Sequence, residues 1–198
     1  MRRRVSDPGP TPTGPTIFTV GHGARSIQEF LHLLQDAGVE RLVDVRTAPG
    51  SRKHPHFGKD ALAASLQTVG IEYEWQKELG GWRKPRPDSR HIALRSPAFR
   101  GYADHMQTAQ FREALANLIN MARTNPTAVM CAESLWWRCH RRMLADALLV
   151  AGCRVVHLMP DGRQDPHRLN PSARVEGDTV VYDVRIEQGE LLSAEDGA

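Results

Sequence analysis

With 198 residues and 40% hydrophobic content, the chain is long enough to bury one substantial core, and its length favours a single domain. It has no run of eighteen apolar residues. Met1-Arg2-Arg3-Arg4 leads into Pro, Thr and Gly instead of an apolar signal segment, which argues against a membrane span and for a cytoplasmic protein. Three cysteines, an odd number, argue against a disulfide framework and for reduced thiols.

Residues 1–15 are rich in Pro, Gly and Arg, and residues 187–198 are acidic with Gly, so both read as flexible tails around one domain at 16–186. Thr16–Val20 is a β-rich run. It is followed by Gly21-His22-Gly23-Ala24-Arg25 and by Ser26-Ile27-Gln28-Glu29, a capping box that starts a helix closed by Gly38. Arg41–Arg46 reads as a second strand, Lys59–Gly70 as a helix and Ile71–Trp75 as a third strand. Thr108 caps a helix on which Phe111, Leu115, Leu118, Ile119 and Ala122 follow helical spacing. Thr127–Cys131 is a fourth strand, Trp136–Ala151 a helix and Arg154–Leu158 a fifth strand. Ala173–Tyr182 forms a hairpin around a Gly-containing turn, appended to the edge of the domain. Strands alternating with helices predict a single α/β domain: a mostly parallel sheet flanked by helices on both faces, with a C-terminal β-hairpin.

In such a sheet every segment that follows a parallel strand opens on one edge, where open α/β folds bind ligands. Those segments supply His22 and Arg25, Asp44 and Arg46, Arg52, Trp82, and Cys131 with Glu133. Period-two alternation puts Asp44 and Arg46 on one face, as site residues or as an internal ion pair that holds the loop. Charge is one-sided there: residues 46–59 contain four cations and no acid, and residues 76–101 contain seven cations against two acids. A basic rim with Phe57, Trp82, Trp136 and Trp137 interleaved suits an anionic ligand or single-stranded nucleic acid. His140 starts the inward stripe of the fourth helix, and a helix N-terminus next to Arg138, Arg141 and Arg142 favours a thiolate at Cys131. Cys131 reads either as an activated nucleophile or as a buried core thiol.

Gly21-His22-Gly23 lacks the third glycine of a dinucleotide fingerprint, so no organic cofactor is implied. Cys139, His140 and the distant His167 offer metal-ligand atoms. Adjacent residues on a helix diverge by about 100°, however, which makes a shared ion the lesser alternative.

Thr19-Val20-Gly21-His22-Gly23, Leu42-Val43-Asp44-Val45-Arg46, Glu78-Leu79-Gly80-Gly81, Phe99-Arg100-Gly101-Tyr102-Ala103-Asp104-His105-Met106, Met130-Cys131-Ala132-Glu133 with Cys139-His140-Arg141, and Pro166-His167 before Ala173-Arg174-Val175-Glu176-Gly177 together resemble the DUF488 family over roughly residues 16–182. Gly23 and His105 depart from the residues common there. The resemblance implies an α/β fold with a polar pocket at the strand ends. A weaker resemblance, to rhodanese-like domains, rests on the order Ser26, Asp44-Val45-Arg46, Cys131, Val155-Val156-His157-Leu158. Ala132 to Arg138 lacks the glycines of an anion-cradling sulfur-transfer loop.

The expectation is an enzyme-like domain that binds a phosphate-bearing or nucleobase-containing ligand. Arg46, Arg52 and Arg141 hold the anion; His22, Arg25, Trp82, Tyr102 and Trp137 complete the pocket. Glu133, His140, Cys131 and Asp44 supply the chemistry, with Glu133 foremost and Arg46 as its partner. The competing classes are a non-catalytic nucleic-acid binding module and a sulfurtransferase with Cys131 as nucleophile.

Overall fold

The computed structural model describes residues 13–50 and 52–184. The chain runs β1 (Thr16–Gly21), α1 (Ile27–Asp36), β2 (Arg41–Asp44), α2 (Lys59–Gln67), β3 (Glu72–Trp75), α3 (Pro97–Met106), α4 (Ala109–Thr124), β4 (Thr127–Cys131), α5 (Arg141–Val150), β5 (Arg154–Leu158) and β6 (Gln164–Pro166). It ends in the hairpin β7 (Ala173–Glu176) and β8 (Thr179–Tyr182). The sheet order is β3-β2-β4-β1-β5-β6, parallel except for β6, and the hairpin forms a separate two-stranded sheet.

Every residue of β4 is buried, because this central strand is covered on both faces. Its period of two sends Ala128 and Met130 into one core with Phe30 and Leu34 of α1 and Leu62 and Leu66 of α2. Val129 and Cys131 enter the opposite core with Leu118 of α4 and Leu144 and Leu148 of α5. The capping box is present: Ser26 Oγ accepts from Glu29 N at 3.2 Å, and Ser26 N donates to Glu29 Oε2 at 2.8 Å. Such caps contribute about 1 kcal/mol. Among the described residues, no helix is long and apolar enough to cross a membrane.

The structure departs from the sequence reading in five places. First, α3 occupies part of the basic 76–101 segment. Its apolar face is only Tyr102, Ala103 and Met106 beside a buried Asp104, a stripe too diluted by charge to stand out. Second, the expected helix at Trp136–Ala151 is broken. Trp136–Arg138 is one 3-10 turn, Cys139 is extended at φ −122° and ψ 157°, and α5 begins only at Arg141. Third, β2 stops at Asp44, whose carboxylate takes the Arg46 backbone N–H at 3.0 Å. Fourth, the hairpin is more than an appended edge, because Val180, Val181 and Tyr182 are buried and two of them join the core beside α5. Fifth, the end of the expected N-terminal tail pairs with the sheet: Gly14 N donates to Gly152 O at 2.9 Å, and Pro15 O accepts from Arg154 N at 3.1 Å. Residues 1–12 and 185–198, which hold the rest of that tail and the acidic C-terminal tail, lie outside the described residues.

Candidate functional site

The parallel pairing continues one step past the strands. His22 N donates to Cys131 O at 3.1 Å, Gly23 N to Ala132 O at 2.9 Å and Val45 N to Met130 O at 3.0 Å. The first residues beyond β1, β2 and β4 therefore stand side by side. His22 and Ala132 of these line a cavity of about 280 Å³ together with Arg46, Thr47, Ala48, Gly50, His54, Gly81, Trp82, Cys131 and His140, while Val45 turns into the core. That volume lies at the bottom of the usual range for ligand pockets, about 300–1,000 Å³, and suits an oxyanion or small metabolite rather than a dinucleotide. Larger hollows at the opposite strand ends contain little chemistry.

Beneath the cavity, Arg46, which lines it, and Asp44, which does not, form a buried ion pair. Arg46 Nη2 donates to Asp44 Oδ2 at 2.6 Å, Nε donates to Oδ1 at 2.9 Å, and the Tyr73 hydroxyl donates to Oδ2 at 2.8 Å. Burial pulls the Arg46 pKa down, but its bonds and charge attraction to Asp44 more than offset this and hold it above the ordinary value. The expected Arg46–Glu133 pair does not form, since Asp44, two residues away on the same face, takes the Nε and Nη2 edge of the guanidinium. Glu133 is exposed, and its contribution is its backbone carbonyl, which accepts from Arg141 Nη2.

His22 stacks on Phe57 with centroids 4.2 Å apart, and its Nδ1 donates to Gly23 O at 2.9 Å, so Nε2 carries a lone pair. Burial lowers its pKa to about 4, which keeps the ring neutral at pH 7. On the far wall, His140 Nδ1 lies 3.5 Å from Cys139 Sγ and 3.9 Å from Cys131 Sγ. The His22 and His140 Nε2 atoms are both buried without a partner. The two thiols act as a pair. Hydrogen bonding from Cys131 holds Cys139 well below the usual thiol range, with further help from His140 and Arg141, while the same bond and burial push Cys131 well above it.

Several glycines here have steric jobs. A Cβ on Gly81 would lie 2.6 Å from His140 Nδ1. One on Gly21 would lie 1.8 Å from Glu133 O and 2.7 Å from Arg141 Nη2, and Gly23 has φ +56°. Gly21-His22-Gly23 thus admits the 133–134 loop across the end of β1.

Of the other expected site residues, Trp82 sits at the mouth and is 83% exposed. Arg25, Arg52, Tyr102, Trp137 and Arg141 do not line the cavity. Arg25 Nη1 braces the first loop by donating to Gly21 O at 2.6 Å. Arg52 is exposed on the surface, and Trp137 packs edge-on against Trp136. Tyr102 is fully buried behind the site, with its hydroxyl donating to Leu79 O at 3.1 Å and its ring 5.0 Å from that of His140. Arg141, 1% exposed, clamps the 133–134 loop from beneath instead of facing a ligand.

His167 belongs to a different network, away from Cys139 and His140. Its Nε2 donates to Asp146 Oδ1 at 2.9 Å, its Nδ1 accepts from His157 Nε2 at 3.0 Å, and His157 Nδ1 accepts from the Thr19 hydroxyl at 2.6 Å. Every donor in that buried chain points the same way, which requires a neutral His157. Burial accordingly lowers its pKa to about 2.

The basic rim is more neutral than the sequence implies. Arg83 meets Glu78 at 3.9 Å, Arg86 meets Asp88 at 2.7 Å and Arg90 meets Glu176 at 2.8 Å, and only Gly81 and Trp82 of that segment reach the cavity. Thr47 and His54 line the cavity but were not singled out as site residues; both lie in the loop after β2, and that position was their only signal.

Taken together, the parallel sheet, the cavity at its C-terminal edge and the imidazole and thiol cluster define an α/β domain with a small, chemically equipped pocket. The chain belongs to the family described as Domain of unknown function DUF488, whose model matches residues 26–148. That span contains every cavity-lining residue except His22. No curated protein and no solved structure matches the chain.

Proposed function

We propose that this chain is an enzyme-like domain that binds a small anionic ligand in the cavity at the C-terminal edge of the sheet and exchanges a proton with it. One observation carries the reading: His22 and His140, from different elements, line one cavity, and each keeps a buried Nε2 without a partner. An unsatisfied buried polar atom costs about 1–3 kcal/mol, so a ligand that satisfies both recovers that cost on binding. His22 Nε2 is an acceptor, and an anion beside it would raise its depressed pKa toward the range useful for proton transfer. Arg46 and the N-terminus of the ten-residue α5, where His140 makes no side-chain cap, favour negative charge. Trp82 offers a stacking face to a planar group. Glu133, exposed and outside the cavity, has no part in this chemistry.

Calorimetric titration of the full chain with inorganic phosphate and with a nucleoside monophosphate tests the reading. Saturable binding that is lost in His22→Asn and kept in Glu133→Gln is expected. No heat at millimolar ligand, or equal binding by both variants, rejects it. The exposed indole of Trp82 also suits a non-catalytic single-strand binding surface. That alternative requires oligonucleotide affinity that falls steeply with salt, depends on Trp82 and ignores His22.

A further inference from the structure

Cys131, Cys139 and His140 form the one group of three potential metal-ligand side chains among the described residues whose donor atoms all lie within 4.8 Å of one another. From this geometry we infer that the chain binds a zinc-type divalent cation through Cys131 Sγ, Cys139 Sγ and His140 Nδ1. This inference stands on the cluster itself and rests on the pocket reading only for the use of the ion's remaining position.

Sulfur at about 2.3 Å and nitrogen at about 2.0–2.1 Å around a tetrahedral ion are separated by about 3.5 Å. The observed separations from His140 Nδ1 are 3.5 Å to Cys139 Sγ and 3.9 Å to Cys131 Sγ. Two sulfurs and one imidazole nitrogen select zinc over magnesium or calcium, which prefer oxygen. The expectation that neighbouring residues diverge fails here because Cys139 and His140 are not on a helix. Cys139 is extended and His140 is the cap at φ −59° and ψ −17°, so their side chains converge on Cys131 at the end of β4.

Charge favours the ion as well. On metal binding both thiols release their protons to solvent. Two thiolates, a neutral imidazole and a divalent cation then sum to zero in a buried site. The shell around His140 is preorganised: Gly81 leaves room that a Cβ would take from Nδ1, and the Tyr102 ring meets the imidazole edge-on at 5.0 Å. Three protein ligands leave a fourth position. Cys131 and His140 both line the cavity, so that position opens toward the ligand, as in catalytic rather than structural zinc sites.

The test is titration of the full-length chain with Co²⁺, together with metal analysis of protein purified without chelator. One Co²⁺ per chain is expected, with a thiolate-to-cobalt charge-transfer band and intense tetrahedral d–d bands. Cys131→Ser and Cys139→Ser should remove the charge-transfer intensity in part or whole, and His140→Asn should weaken binding at least tenfold. Cys153→Ser, whose thiol lies outside the cluster, should match wild type. Gly81→Ala leaves all three ligands in the chain but displaces His140, so it too should weaken binding, with circular dichroism confirming that it folds. An octahedral spectrum without sulfur intensity, or a spectrum unchanged in Cys131→Ser, overturns the inference. Cobalt bands that form normally in a protein that gives no heat with phosphate would leave the metal site standing and remove the pocket reading. Phosphate binding to a protein that takes no cobalt would do the reverse.

Discussion

Asp44 offers the most demanding test of how the pocket floor is held. Its carboxylate is fully buried and accepts from the Arg46 backbone N–H at 3.0 Å, from Arg46 Nε and Nη2, and from the Tyr73 hydroxyl at 2.8 Å. Asp44→Ala leaves a guanidinium that is only 6% exposed with no counter-charge. Removing one partner of a buried pair costs about 3–5 kcal/mol. For a chain of this length each kcal/mol moves the melting temperature by about 2–4 °C, so a fall of about 6–20 °C is expected. Arg46→Met should be nearly as damaging, because it leaves the carboxylate and Tyr73 unpaired. The double variant should be less destabilised than the sum of the singles, since an apolar replacement of a whole buried pair is close to neutral. Urea unfolding of the four proteins by circular dichroism measures the cycle. Single variants within about 0.5 kcal/mol of wild type, or a cycle that adds, would show that the pair contributes no more than an exposed one and refute the reasoning.

Two further outcomes follow from the geometry. His22, His91, His105 and His157 all have pKa values lowered by burial, to about 4 for His22 and about 2 for His157. Each binds its proton more readily when unfolded, at an ordinary value of about 6.5, so their stability contribution is complete above that pH and is lost as pH falls toward the folded values. Urea unfolding between pH 7 and pH 5 should therefore show falling stability with acid, and His22→Asn should flatten the slope; a slope unchanged in that variant contradicts the assignment. Gly21→Ala places a methyl 1.8 Å from the Glu133 carbonyl, which backbone cannot relieve cheaply. A loss of about 1–3 kcal/mol or more is expected by thermal melting, and a melt equal to wild type would mean that the 133–134 loop does not cross there.

The α/β architecture was legible because its signals are local. The Ser26 capping box, the helical stripe of α4 and the apolar runs of β4 and β5 depend on residues a few positions apart, and the structure keeps β4 and β5 at the bounds the sequence implies. That His22, Arg46 and Cys131 share one edge was also legible, since parallel strands send every following loop to the same side. Which of those residues face the cavity could only be settled in three dimensions. Arg141 and Tyr102 have the chemistry of ligand contacts, yet packing places both behind the wall, and of the two carboxylates the sequence offered Arg46 it is Asp44, not Glu133, that takes the guanidinium. The convergence of Cys131, Cys139 and His140 was hidden for a further reason. It depends on a helix that does not start where its residues first permit one, because the 3-10 turn at Trp136–Arg138 ends in an extended Cys139 before α5 begins. Helical periodicity is a property of a short window of sequence. The direction of two neighbouring side chains at a break in that helix is decided by the sheet on which they pack.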